Sequence, residues 1–366
     1  MSYEPEPTLG RHGRAMLREK RKRHRRIVWA SFFAVALVVG AIAYAVLVPS
    51  DSDEQASPSP SPDLIPSDLT LLMLRTDQPL AAIVGTGGER PPLVMTLPNK
   101  LLTEIPGKGT GTVSTAVKKS AEYGRTAISN LMGVWVPEYV DVNPRQLTRL
   151  VDSAGGLEVE LPKVVKLNGR SIGPGPTELS GKQVLKYLDD SEGRERDQRW
   201  AVVLNAMFAN GFRVPKGAGT DEAVARFEDA QGAAVTEFPT IVAQGGYLND
   251  DPAVTSVTLR STYGIDTGEP EPVIVFIGVD RPNLAQEVTA RIVPDGFRVV
   301  SYQTTRSLDR GVPQDLTKIY TTEDAVEQAR ELQDSLGVGK VFLSKQSSGL
   351  ADITVIVGKN YLADIG

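Results

Sequence analysis

The feature that most constrains this chain is an apolar run near its N-terminus. Residues 27–48, IVWASFFAVALVVGAIAYAVLV, form a stretch of 22 residues without a charge, which is long enough to cross a bilayer as a helix. Residues 11–26 hold nine Lys and Arg against one Glu, whereas DSDEQ follows the run. Because basic flanks stay in the cytoplasm, the pattern predicts a single-pass anchor with the basic tail, residues 1–26, inside and the rest of the chain outside.

A cleaved signal peptide is the alternative interpretation of the same run. The tripeptide Ala43-Tyr44-Ala45 resembles a cleavage site. The apolar run is longer than the core of a usual signal peptide, however, and this length favours a retained anchor in the cell membrane.

The net charge of the predicted outer region argues against nucleic-acid binding. The chain has 366 residues with 40 Lys plus Arg and 45 Asp plus Glu, and residues 1–26 account for nine of the basic and three of the acidic ones. The remainder therefore carries 31 basic and 42 acidic side chains, a net charge of about −11. A nucleic-acid-binding surface is basic, so no nucleic-acid partner is expected.

The cysteine and histidine content limits the kinds of catalytic or metal site that the chain can form. There is no cysteine, and the two histidines, His12 and His24, both precede the apolar run. This excludes thiol nucleophiles and, beyond residue 24, a Ser-His-Asp triad or histidine-bound zinc. Any chemistry outside the tail must use carboxylates, Arg, Lys, hydroxyls or an oxygen-bound metal.

Composition and periodicity divide the chain beyond the anchor. Residues 49–65 are rich in Pro and Ser and predict an extended spacer. Strands and helices alternate through residues 66–260, with a last helix expected over 220–238. A second linker is predicted at 261–271. Residues 272–366 then have the pattern of a small βαβ-type α/β domain.

One apolar stripe orients the charged segment SEGRERDQRW, residues 191–200. At 100° per residue, one helix face collects the apolar side chains that follow the segment. They are Trp200, Val203, Leu204, Met207 and Phe208.

Extending that helix back by one turn separates its arginines. Arg196 falls on the stripe and Arg199 on its flank, whereas Arg194 points away. An arginine that faces the interior needs an anionic partner. The partner would be a nearby carboxylate, such as Asp190 or Glu192, or the phosphate of a ligand held at the helix N-terminus.

The order of several segments resembles the LytR-CpsA-Psr (LCP) family. Over residues 66–260 the matching segments are LLMLRTD, TLPNKLLTEIPG, VDSAGGLEVELP, LSGKQVLKYL and RDQRWAVVLNAMF. Residues 272–366 resemble the LytR C-terminal domain through VIVFIGVDRPNLAQEVTARIVPDGFRVV and ADITVIVGKNY. Together with a preceding membrane span, this combination resembles the actinobacterial members.

The resemblance implies a fold and a function. The fold would be an LCP-like mixed sheet flanked by helices, followed by the small α/β domain, after one transmembrane helix. The function would be transfer of glycopolymers from polyprenyl-pyrophosphate carriers onto peptidoglycan outside the membrane, with Mg²⁺. In such proteins arginines bind the pyrophosphate, carboxylates hold the metal and an apolar pocket takes the lipid.

Site residues carry over from the family one by one. Arg196 and Arg199 match the arginines of the R-x-x-R-Q segment, which implies phosphate binding. Lys100 stands in LPNK where relatives have the aspartate of I-P-R-D, and it would supply a further cation for phosphate. Asp77 matches the first metal-binding aspartate, although it could equally cap the end of a strand.

Other positions depart from the family pattern. Asn99 replaces an arginine, Asp189 replaces the arginine of Y-V-R, and the second metal-binding aspartate has no counterpart in QPLAAIV. These departures favour an envelope protein that binds polyprenyl-(pyro)phosphate-linked glycopolymer with weak or no catalysis, or that scaffolds an active LCP relative. The alternative is an active glycopolymer–peptidoglycan phosphotransferase. A transcriptional regulator is disfavoured by the predicted topology and the acidic outer region.

Overall fold

The structure is a computed structural model that describes residues 68–361, apart from 87–90, 215–216, 266–268, 305–313 and 345–347. The predicted tail, membrane span and spacer all lie outside the described residues. Within the described part of the chain, no helix has the length and apolar character needed to span a membrane.

The helices are interspersed among the strands along the chain. Their bounds are α1 Val113–Lys119, α2 Ala121–Met132, α3 Pro144–Ser153, α4 Gly181–Asp189, α5 Gly193–Ala209, α6 Asp221–Asp229, α7 Pro252–Tyr263, α8 Leu284–Ile292 and α9 Val326–Leu336.

The strands fall into two main sheets and several short hairpins. Those that precede α7 are β1 Leu69–Leu74, β2 Leu80–Gly85, β3 Leu93–Leu97, β4 Leu102–Ile105, β5 Gly109–Thr112, β6 Glu138–Val142, β7 Leu157–Leu161, β8 Val165–Leu167, β9 Arg170–Ile172, β10 Gly175–Leu179, β11 Ala234–Glu237, β12 Ile241–Val242 and β13 Leu248–Asn249. Those that follow it are β14 Glu271–Ile277, β15 Phe297–Thr304, β16 Lys318–Thr321, β17 Lys340–Leu343 and β18 Ile353–Val357.

The first sheet is mixed, as predicted, with strand order β11-β3-β2-β1-β6. Strand β2 is antiparallel to β1 and β3, whereas β6 is parallel to β1 and β11 is parallel to β3. The carboxyl ends of β1, β3, β6 and β11 therefore meet at one edge. Strands β1 and β2 are buried along their whole length, because separate apolar cores cover the two faces of the sheet. Two buried faces explain why these strands are continuous apolar runs.

The predicted helix containing the charged segment is confirmed. Helix α5 begins at Gly193, a full turn and more before Trp200. All five residues of the apolar stripe are buried, and Arg194 is exposed whereas Arg196 is buried. The separation of inward and outward arginines expected from helical geometry is therefore correct.

Two predictions about local structure are wrong. The helix expected over 220–238 ends at Asp229, since Gly232 reverses the chain with a φ of 76°, and residues 234–237 pair with β3 as the edge strand β11. The predicted linker, 261–271, begins inside α7. There Tyr263 is fully buried and its hydroxyl donates to the carbonyl of Ile83 at 3.2 Å.

The C-terminal region has the predicted α/β character. Its sheet has the order β15-β14-β18-β16-β17, with β14 parallel to β15 and β18, and β16 antiparallel to β18. Helices α8 and α9 contribute to its apolar core. Sequence reasoning missed β16 and β17, because four residues each are too short to establish a period.

Candidate functional site

The candidate site lies where the parallel strands of the first sheet end. Residues 75–78 follow β1 and residues 98–100 follow β3, and both loops contact the first turns of α5. Ligands of open α/β sheets bind at the carboxyl ends of strands. The N-terminus of a helix at the same place adds a positive field.

Arg196 joins three segments at this edge. Its Nη1 donates to the carbonyl of Leu188 at 2.6 Å, and its Nη2 donates to Thr76 Oγ1 and to the carbonyl of Gln78, both at 2.8 Å. Both nitrogens also lie 3.3 Å from Asp189 Oδ1. The side chain is 1% exposed, so both terminal nitrogens of the guanidinium are already taken by protein oxygens.

Arg199 caps the same helix end as Arg196. Its Nη1 donates to the carbonyl of Tyr187, its Nη2 pairs with Glu195 at 2.9 Å, and its guanidinium stacks 4.7 Å from the Tyr187 ring centroid. The last carbonyls of a helix have no partner within the helix, and cations are favourable at its negative end. The two arginines thus satisfy consecutive carbonyls in the last turn of α4.

The predicted need for an anionic partner is confirmed, but the partner is Asp189 rather than Asp190 or Glu192. Asp190 instead pairs with Lys186, one turn earlier in α4, at 2.9 Å. Glu192 is exposed and precedes α5. Asp189, and not the two acidic residues expected from the sequence, therefore neutralises Arg196.

Asp197 is a second carboxylate of the site, and it is buried. Its Oδ1 accepts the backbone N–H of Asn99 at 3.0 Å, and the residue is 6% exposed. The pKa of Asp197 is raised from 3.8 to about 6, mainly by burial and to a lesser extent by the charge of Glu237. The Asn99 N–H, Arg196 and Lys100 oppose this shift. A carboxyl group with this pKa exchanges protons near neutral pH.

The two remaining candidates are exposed. A Cβ placed on Gly193 would lie 3.8 Å from Lys100 Nζ, so the ammonium sits beside the first residue of α5. Asp77 is exposed between the two residues that bind Arg196, and its carbonyl accepts Lys118 Nζ at 3.2 Å. Lys100 and Asp77 therefore flank the N-terminal turns of α5 from two different loops.

The structure thus brings Arg196, Lys100 and Asp77 to one edge, whereas the guanidinium of Arg199 is directed to the end of α4. Sequence reasoning assigned no role to Asp197. Helical geometry contained the signal, because Asp197 precedes Trp200 by three residues and so lies about 60° from it around the helix, between Leu204 and Phe208.

Magnesium fits this edge only together with a ligand. Within the described ranges, no group of three or more acidic or histidine side chains is arranged to hold a metal. Mg²⁺ is commonly held by one or two carboxylates with substrate phosphates and water. Asp77 would be one such carboxylate, and the other ligands would come from the phosphates and solvent.

Comparison with known sequences identifies the family. The LytR_cpsA_psr family profile matches residues 88–214, and a profile described as LytR cell envelope-related transcriptional attenuator matches residues 272–361. The chain therefore contains a LytR-CpsA-Psr family region followed by a LytR C-terminal domain.

The proteins similar to this chain include one curated relative and several solved structures. TagU of Bacillus subtilis (strain 168), a polyisoprenyl-teichoic acid–peptidoglycan teichoic acid transferase, is 30% identical over 131 residues. That match spans 33% of this chain and only 42% of TagU. A LytR-Csp2A-Psr enzyme from Actinomyces oris aligns over 59% of this chain and 96% of its own, with 19% identity and a TM-score of 0.44. YwtF (TagT) with bound octaprenyl pyrophosphate aligns over 59% and 99%, with 18% identity and a TM-score of 0.43.

Proposed function

We propose that this chain is a membrane-anchored, extracytoplasmic envelope protein that binds polyprenyl-(pyro)phosphate-linked glycopolymer, with weak or no catalysis, during cell wall assembly. The LCP family region and the similarity to TagU support the ligand class. Residues 27–48 would form the single span, with residues 1–26 in the cytoplasm. Peptidoglycan and active LCP relatives would be its partners.

The observation that carries the proposal is that protein oxygens already accept hydrogen bonds from both terminal nitrogens of Arg196. A phosphate could reach its terminal nitrogens only by displacing protein oxygens, among them the Asp189 carboxylate. A carboxylate at that place also repels an incoming anion. Lys100 and the N-terminus of α5 stay available to a phosphate, Lys100 as a point charge rather than a bidentate donor. Anion binding is therefore retained but weakened.

The alternative is an active transferase, which the match to TagU favours. In that reaction a hydroxyl oxygen of the acceptor attacks the phosphorus that bears the glycopolymer. The bond to the bridging oxygen breaks, polyprenyl phosphate leaves, and the hydroxyl proton passes to solvent or a carboxylate. Such a step depends on neutralising the charge of the leaving group. Magnesium bound at Asp77 and the phosphates would supply part of that neutralisation.

A transfer assay distinguishes the two functions. The full chain in detergent would be incubated with Mg²⁺, a polyprenyl-pyrophosphate glycan and peptidoglycan fragments, with TagU run in parallel as the active control. We expect lipid retention on the protein and glycan–peptidoglycan product at no more than about 1% of the TagU rate, a loss of roughly 3 kcal/mol of transition-state stabilisation. Product formation at a rate comparable with TagU would establish the active transferase instead.

Asp189→Asn is expected to tighten phosphate binding. The substitution removes the negative charge beside Arg196 and leaves a side chain of the same shape. We expect the Kd for a short-chain polyprenyl pyrophosphate, measured by titration calorimetry, to fall about tenfold, which corresponds to about 1.4 kcal/mol.

Asp190→Asn is the matched control for this measurement. It makes the same charge change at the next position, where the carboxylate binds Lys186 and not Arg196. An equal gain in both variants would reflect general charge rather than competition at Arg196, and no gain in Asp189→Asn would remove the reason for proposing weak binding.

A further inference from the structure

The C-terminal sheet has an edge strand that another part of the chain seals. Strand β15 lies at the edge of its sheet, and an edge strand presents unpaired N–H and C=O groups. The side chain of Asn130, on α2, takes both groups of Val299. Val299 N–H donates to Asn130 Oδ1 at 2.7 Å, and Asn130 Nδ2 donates to the Val299 carbonyl at 2.8 Å. The carboxamide thus replaces the missing neighbouring strand.

Further contacts join the first α/β region to β15 and to the residues near it. Strand β15 also packs against β4 and β5 of the first α/β region. Tyr123, on α2, donates its hydroxyl to Asn283 Oδ1 at 3.1 Å. Each contact joins a residue of the first α/β region to one of the C-terminal region, so the two regions share a specific polar interface.

The same interface reaches the loop that carries Lys100. Arg298, beside the sealed position on β15, forms an ion pair with Asp250 at 2.8 Å, and the two side chains are 14% and 11% exposed. Asp250 directly follows β13, where Leu248 N–H donates to the carbonyl of Lys100 at 3.1 Å. Leu248 also forms a parallel bridge with Leu101. A continuous set of contacts therefore leads from β15 to the candidate site.

We propose that the C-terminal region is a positioning element, which holds the Asn99–Lys100 loop in place through Arg298, Asp250 and β13. The two groups are 2.8 Å apart without the alignment of a hydrogen bond. Because the pair is shielded from water, its attraction is nevertheless stronger than that of a surface pair. The loop then presents Lys100 beside α5 and the Asn99 N–H to Asp197. This positioning of the loop does not depend on which ligand the site binds.

Hydrogen exchange on the full chain in detergent tests this role. Arg298→Glu is expected to speed exchange about tenfold in peptides covering 98–105 and 245–251, while β1 and β2 keep their protection. The double variant Arg298→Glu with Asp250→Arg restores opposite charges in reversed order and is expected to return the exchange rates to those of the unsubstituted chain. If Arg298→Glu fails to fold, Arg298→Gln replaces it in the experiment, because it removes the positive charge without placing a second negative charge beside Asp250.

Arg330→Glu is the matched control, because it makes the same charge change at an exposed position of α9 in the same region. Unchanged exchange in the Arg298 variants would overturn the proposal. So would a uniform loss of protection that includes β1 and β2, since that would reflect global destabilisation. Failure of the reversed pair to restore exchange would equally overturn it.

Discussion

Arg196→Ala is expected to lower the free energy of unfolding by about 3–5 kcal/mol, because it removes a large buried side chain together with its hydrogen bonds. The substitution removes one of two donors from each of the carbonyls of Leu188 and Gln78, which keep the hydroxyls of Ser191 and Thr76. It also removes the donor to Thr76 Oγ1. It also empties the space of a side chain that is 1% exposed. Urea unfolding, followed by tryptophan fluorescence, measures the change.

Arg194→Ala is the control for that measurement, since it removes an exposed arginine from the same helix turn. It should change stability by no more than about 0.5 kcal/mol. If Arg196→Ala cost as little, the guanidinium contacts would be worth no more than a surface ion pair. The difference between the two variants therefore tests the structural role of Arg196 directly.

A structural role for Arg196 also affects how activity data are interpreted. Loss of binding or transfer in Arg196→Ala would follow from a weakened α4–α5 junction even if no ligand ever touched the guanidinium. Asp189→Asn avoids this ambiguity, because it is expected to increase binding and its carboxylate is 53% exposed. A gain of function cannot arise from partial unfolding.

The architecture could be predicted from the sequence where the spacing of apolar residues shows which side chains are buried. The inward stripe of α5 and the continuous apolar strands β1 and β2 follow from spacing alone. Residues 234–237 form a strand where a helix was predicted. This could not be foreseen, because Val235 pairs with β3, more than 100 residues earlier in the chain. Pairings of that kind depend on tertiary contacts rather than local propensity.

The candidate site was predictable in part for the same reason. Helical geometry assigned an inward direction to Arg196, but it could not choose among the neighbouring acidic residues. That choice depends on where α4 ends, since Asp190 closes the last turn back onto Lys186 and leaves Asp189 to face the guanidinium. The role of Asp197 depends on β3, which delivers the Asn99 N–H from a distant part of the chain.

Asp197→Asn is expected to stabilise the protein at neutral pH and to leave it unchanged in acid. Burial raises the pKa of Asp197 from 3.8 to about 6, so the folded state binds its proton more tightly than the unfolded state does. The stability contributed by this group is therefore full below pH 4 and is lost as the pH rises to about 6. Asparagine carries no charge at any pH, and its Oδ1 can still accept the Asn99 N–H.

The size of the effect follows from the width of that pH window. A shift of about two pKa units corresponds to about 3 kcal/mol as an upper bound. At pH 7.5 the free energy of unfolding of Asp197→Asn should therefore exceed that of the unsubstituted chain by up to this amount. Urea unfolding of both proteins between pH 4 and 7.5 measures the difference, in which the titration of all other groups cancels. Asp190→Asn, at an ion pair on the surface, should show no such pH dependence. A variant that is less stable at pH 7.5 would mean that the attraction of Lys100 and Arg196 outweighs the cost of burying the carboxylate.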